Sequence, residues 1–224
     1  MNRNLVLLFS FVIFFDIPVW GQRTVSISVT LCPTFAHTNY SNRYLYPESD
    51  GQIVEPVYLS GSRWAFGTSA GLSILYKYAP GWSVSSGIWF QQLALRQNRQ
   101  PVAGNGNVTL RNRALRVPLL LNYSSNQQRL SPYFSFGLLT DFPLTSRVIV
   151  TRSGESTQYL RLISLNSGPT FHGLLGAGIR YKLTNRYTLT AQPVWTYNFG
   201  RFGGAGTHDS SFECSVLAQM AYSF

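Results

Sequence analysis

Eight stretches of this chain alternate apolar with small or polar side chains at a period of two, and that pattern restricts the fold to β-sheet. They run over about Thr24–Phe35, Trp64–Tyr78, Trp82–Leu95, Thr109–Tyr123, Pro132–Phe142, Thr170–Lys182, Tyr187–Phe199 and Phe212–Phe224. Successive side chains of a strand point to opposite faces. In the last run the even positions are Phe212, Cys214, Val216, Ala218, Met220, Tyr222 and Phe224, and the odd positions are Glu213, Ser215, Leu217, Gln219, Ala221 and Ser223. No helical period of comparable strength competes. Each run can reach the ~9–11 residues with which a tilted strand crosses a bilayer.

The other runs repeat the division. Val25, Ile27, Val29 and Leu31 oppose Thr24, Ser26, Ser28 and Thr30, and Leu115, Val117, Leu119 and Leu121 oppose Ala114, Arg116, Pro118 and Leu120. The third run loses its alternation after Phe90, which predicts a β-bulge near Gln91–Gln92. Pro118 and Pro193 each remove a ladder donor from inside a run. The connections sort by length. Ala79–Gly81, Ser124–Ser131 and Leu183–Arg186 are short, whereas Ala36–Arg63, Arg96–Val108, Pro143–Pro169 and Gly200–Ser211 are long. With both ends of the chain on the short-turn side, this is the asymmetry of a transmembrane barrel with periplasmic turns and extracellular loops. Aromatic residues collect at the same two levels. Tyr78, Trp82, Tyr123, Tyr133, Tyr181, Tyr187, Tyr222 and Phe224 lie beside the short turns; Trp64, Phe90, Phe142, Phe171, Tyr197 and Phe199 lie at the far ends. Two girdles around an aliphatic band suit strands that meet two headgroup layers.

Composition agrees. The chain is 45% hydrophobic and only 12% charged, against about 25% charged in soluble domains, yet beyond the N-terminal run no stretch reaches the about 18 consecutive apolar residues of a membrane helix. Arg3 followed by the apolar Leu5–Phe15 reads as a secretory signal, with cleavage before Gln22. Residues 1–21 are therefore expected to be a signal peptide and residues 22–224 one outer-membrane β-barrel domain. The formal charge is +10, and the signal carries one Arg and one Asp, so the exported chain keeps it. For an exported protein the expected anionic partner is outer-membrane lipid and lipopolysaccharide, not nucleic acid. Cys32 and Cys214 have opposite parity on the first and last runs, so they should point to opposite faces unbridged.

The final run, ending on Phe224, resembles the C-terminal signature of bacterial outer-membrane barrels. Arg116-Val117-Pro118-Leu119-Leu120-Leu121-Asn122-Tyr123 resembles the I/V-P-L-L-L-x-Y strand of the PorT-like outer-membrane β-barrel family of Bacteroidota. Pro132-Tyr133-Phe134-Ser135-Phe136-Gly137 and Gly176-Ala177-Gly178-Ile179-Arg180-Tyr181 are similar to that family as well. The resemblance implies an eight-stranded antiparallel barrel in the outer membrane and no particular activity. One type of member takes part in protein secretion and gliding.

Chemistry-bearing motifs are sparse. Gly67-Thr68-Ser69-Ala70-Gly71 matches G-x-S-x-G, but inside a continuous strand, whereas a nucleophile elbow needs a strand-to-helix turn. His208-Asp209-Ser210 with Glu213 weakly resembles the H-x-S segment of outer-membrane lipid A deacylases, in which a His activates a Ser. It lies in a Gly-rich loop, and a flexible polar loop is the simpler reading. His37, His172 and His208 lack metal-ligand spacing. We therefore expect no enzyme, no catalytic residues, no cofactor and no metal. Lys77, Arg116, Arg180, Lys182 and Glu213 should face the lumen, with Glu213 paired to Arg116 or Arg180 because buried charges need partners. Arg43, Arg63, Arg147, Arg152 and Arg161, on the long connections, are candidates for lipopolysaccharide phosphates. The expected role is structural or surface interaction, through the loops Ala36–Arg63 and Pro143–Pro169. A lipid A-modifying acyl hydrolase, a small channel and a secretion-system subunit are the alternatives.

Overall fold

A computed structural model describes residues 24–45, 57–96, 106–126, 128–152, 154, 156–162, 168–200 and 211–224. All of its regular structure is strand: β1 (Thr24–Leu45), β2 (Val57–Ala79), β3 (Trp82–Arg96), β4 (Gly106–Ser124), β5 (Leu130–Arg152), β6 (Gln158–Arg161), β7 (Thr170–Lys182), β8 (Tyr187–Gly200) and β9 (Ser211–Ser223). Every pairing is antiparallel. The sheet runs β4-β3-β2-β1-β9-β8-β7-β5-β6, and β4 also pairs β5, so eight strands close into a ring. Closure removes the free edges that an open sheet would expose in lipid.

The seam joins the first and last strands. Ser26 faces Ser223 and Thr30 faces Gln219. Side chains reinforce it from inside: Gln219 Nε2 donates to Ser28 Oγ at 2.8 Å and to Thr30 Oγ1 at 3.3 Å, and Ser215 Oγ donates to Thr34 Oγ1 at 3.1 Å. The amide of Phe224 extends the ladder to the carbonyl of Val25. At the first short turn Gly81 adopts φ +79°, where a side chain would press on the carbonyl of Ser124.

The alternation sorts as expected over the lower wall. Val25, Ile27, Val29 and Leu31 point out, and Ser28, Thr30, Cys32 and Thr34 are buried inside. Cys214 lies exposed on the outer face, so the two thiols do stand on opposite sides of the wall. Trp82–Tyr123, Tyr187–Tyr222 and Tyr222–Phe224 form ring contacts at the short-turn end. Tyr133 does not join them: it takes the inward parity of β5 and is 3% exposed. At the other end Trp64, Phe90, Phe142, Tyr197 and Phe199 are exposed outward, and Phe171 is half-buried.

Three expectations are corrected here. The strands reach far past the aromatic belt, so Ala36–Arg63 is mostly hairpin: β1 and β2 stay paired from His37↔Trp64 up to Leu45↔Val57. Likewise β5 continues to Arg152, and β6 pairs its upper half from Arg147↔Arg161 to Val150↔Gln158. There is no bulge at Gln91–Gln92, because the β2–β3 register is unbroken from Lys77↔Ser83 to Ala65↔Leu95. On β5 the register slips, where Arg113 faces Thr145 but Ala114 faces Pro143. One extra residue there reverses the parity. Asp141 points in on the odd register, and Val148 and Val150 point in on the even one.

Candidate functional site

The lumen is filled in layers. At the long-loop end Leu95, Val108, Leu110, Val148, Val150 and Leu162 form an apolar cap inside the projecting wall. Below it lies one charged layer. Arg116 grips Asp141 with two bonds, Nε to Oδ1 at 2.6 Å and Nη2 to Oδ2 at 2.7 Å. The same guanidinium grips Glu213, Nη1 to Oε2 at 2.9 Å and Nη2 to Oε1 at 3.2 Å. Bidentate Arg–carboxylate pairs are the strongest charge-assisted bonds a side chain makes, and all three groups are buried. Thr196 Oγ1 and Gln91 Nε2 also donate to Glu213, and His172 Nε2 lies 3.2 Å from Asp141 Oδ2. The layer therefore ties β3, β4, β5, β7, β8 and β9 together.

Next comes an apolar layer of Cys32, Trp89, Leu120, Leu139, Leu174, Val194 and Leu217. The Trp89 ring is anchored by Nε1 donating to Ser73 Oγ at 2.8 Å. Beneath it a polar layer links Asn122, Ser85, Ser135 and Gln192. The lowest layer is a polar cavity of about 300 Å³ at the short-turn end, lined by Lys77, Arg180 and Lys182 among others. An eight-stranded barrel is just wide enough for its own side chains to fill, and the described inward side chains occupy these layers.

The five lumenal charges read from the sequence are thus all inside, split between two layers. Glu213 takes Arg116, and Arg180 remains in the lower cavity. Asp141, the second acid of the network, was missed. Its signal was present, an acid at the inward parity of the fifth run, but its position beside the end of that run hid it.

The outer face carries a second feature. Register places Phe90, Leu115 and Phe142 in one row at the top of the apolar belt. The next outward row holds Gln92, Arg113 and Thr145, with Arg113 Nε donating to Gln92 Oε1 at 3.0 Å. The row after that aligns Arg111, Arg147 and Arg161 on adjacent strands, and Arg96 stands in the row beyond. Each row advances two residues, ~6.6 Å along a strand and ~5 Å in height once the strands tilt. Like charges directly opposite across a sheet destabilise it. Arg111 Nε is moreover buried without a hydrogen-bond partner. Of the loop candidates, Arg147 and Arg161 belong to this face, but on strands. Arg63 takes the inward parity of β2. The side chains of Arg43 and Arg152 lie outside the described residues.

Ser69 sits in mid-strand, facing Cys32 on one side and Gln91 on the other, with no elbow. His208, Asp209 and Ser210 lie outside the described residues. Among the described residues no group of His, Cys, Asp and Glu has the arrangement of a metal site.

No family model matches the chain, and no curated protein matches it. Among solved structures it is similar to the Neisserial surface protein A, at 14% identity and a TM-score of 0.41 over 89% of this chain and 97% of that one. It is also similar to the outer membrane protein OprG of Pseudomonas aeruginosa, at 14% identity and a TM-score of 0.38 over 91% and 98%. The attachment invasion locus protein Ail of Yersinia pestis gives 12% identity and a TM-score of 0.35 over 91% and 100%. At these identities the likeness is one of architecture, and the charged layers have to be read from their own geometry. That architecture, a closed ring of eight antiparallel strands with an apolar belt outside and polar layers inside, is that of the integral β-barrel proteins of the bacterial outer membrane.

Proposed function

We propose that the chain is a non-enzymatic, non-conducting outer-membrane barrel whose projecting wall binds phosphorylated glycolipid of the outer leaflet. One observation carries this reading. Arg96, Arg111, Arg113, Arg147 and Arg161 face outward within three register rows above the belt, and the only acids among the described residues, Asp141 and Glu213, are inside the lumen. A planar guanidinium fork matches phosphate oxygens. An anion lying across the Arg111–Arg147–Arg161 row would offset their repulsion. The aromatic residues just below put that row at headgroup height. Kinship with the PorT-like barrels of Bacteroidota belongs to the same proposal and rests on Arg116–Tyr123, Pro132–Gly137 and Gly176–Tyr181.

Retention of lipopolysaccharide by the detergent-solubilised barrel, read by native mass spectrometry, tests the lipid site. The triple variant Arg111→Gln, Arg147→Gln, Arg161→Gln should retain several-fold less, and dephosphorylated lipid A should bind the unaltered chain equally poorly. Equal retention in all three cases would remove the proposal. Planar bilayers should show no conductance steps. Alanine at His208 or Ser210 should leave lipid A acylation unchanged in cells expressing the chain.

A further inference from the structure

We propose that the cavity at the short-turn end is a binding site for a phosphate group presented from the periplasm. The outer arginine face plays no part in this site. The cavity encloses about 300 Å³ at the lower mouth of the lumen, at the small end of the range for ligand sites. Among the described residues its wall carries three cations, Lys77, Arg180 and Lys182, and no acid. All three line the same space.

Arg180 is the decisive residue. Its Nε is buried and has no hydrogen-bond partner, although a buried guanidinium donor without a partner is costly. The nearest described acids cannot serve it. Arg180 shares a register row with Thr190 and Gln219, and Gln219 lies six residues along β9 from Glu213, ~20 Å at strand spacing. The contrast with Arg116 is direct: each of its carboxylate partners is within hydrogen-bond reach.

The lining also selects among anions. Three cations outweigh the single charge of a carboxylate but suit the ≈ −1.5 to −2 of a phosphate monoester at neutral pH. Hydroxyls of Ser83, Tyr133 and Thr188 add donors around the same space. A guanidinium meets a phosphate with two parallel bonds, and the lysines act as point charges on its remaining oxygens. The site opens at the lumen mouth and not through the wall, so the phosphate comes as inorganic phosphate or as an ester dissolved in the periplasm, not as part of the surrounding lipid.

The test uses the full exported chain in detergent, in the Arg111→Gln, Arg147→Gln, Arg161→Gln background, so that the outer face adds no binding. Isothermal titration with inorganic phosphate should show one saturable site with Kd below about 1 mM, and acetate should bind at least tenfold more weakly. Glycerol phosphate added in a separate arm distinguishes the ester from the free ion by whichever binds more tightly. Arg180→Gln should weaken phosphate at least tenfold and Lys77→Gln several-fold. Arg186→Gln, exposed on the adjacent turn and outside the cavity, should change nothing. If Arg180→Gln does not yield a folded barrel by circular dichroism, Lys77→Gln at the mouth carries the decision. Absence of saturable phosphate binding, binding of acetate as tight as phosphate, or binding indifferent to both cavity variants would overturn the proposal.

Discussion

The lower and upper halves of this wall obey opposite rules. In the belt, the outward residues are Leu72, Ile74, Ile88 and Leu119, and the inward ones are Ser28, Ser73, Asn122 and Gln192. Above the belt, on β3 to β6, the inward residues are Leu95, Val108, Leu110, Val148 and Val150, while Arg96, Arg111 and Arg147 face out. One continuous set of strands therefore changes its amphipathic sense where lipid gives way to water. The solvent outside decides which face is apolar; the backbone period only guarantees that there are two faces.

Four tests, two of them with a comparison variant, sharpen this contrast. The largest effect belongs to the charged layer at the boundary. Arg116→Ala strands two buried carboxylates and should cost about 3–5 kcal/mol, read as a lowered urea midpoint in detergent or bilayers. Glu213→Gln, which leaves the Arg116–Asp141 grip in place, should cost clearly less, and parity between the two would refute the layered ion network. Second, Leu72→Arg puts a charge in the middle of the belt at a residue 60% exposed on the outer face, and should cost about 2–4 kcal/mol in a bilayer. Asn107→Arg, on the same outer face but above the belt, should stay within about 0.5 kcal/mol. Equal penalties would mean the two halves share one solvent. Third, Leu110→Ala opens the apolar cap and should destabilise by about 2 kcal/mol. The loss should be confined to the projecting wall and be visible as faster hydrogen exchange in β4–β6 with the lower barrel still protected. The smallest effect is at the seam. Gln219→Ala removes one bridging amide from the hydroxyls of Ser28 and Thr30 and should cost about 1 kcal/mol by the same urea titration.

The same change of rule explains where the sequence could be read and where it could not. Strands inside the belt announce themselves, since apolar-out against polar-in is the pattern being sought. The third run reads as broken at Gln91 only because its inward positions pass from Gln91 to Leu93 and Leu95 while its outward ones pass from Phe90 to Gln92. Side-chain direction is unchanged there; the chemistry of each side is exchanged. On β5 the reverse holds. The direction does flip, at Pro143–Leu144, so residues 144–152 and the partner β6 read as loop. Along His37–Leu45 and Val57–Arg63 both alternating sets of residues mix apolar with polar types, and without contrast there is no period to detect.

What the residues determined alone is the alternation, and with it eight membrane-crossing strands, their inward side and the presence of more cations than acids within. Parity is local, a property of neighbouring residues, so it survives without knowledge of the fold. Which cation meets which acid is not local. Arg116 holds Asp141 and Glu213 because ring closure and strand stagger bring β4, β5 and β9 to one level, and the same stagger leaves Arg180 ~20 Å along the strands from Glu213 and farther still from Asp141.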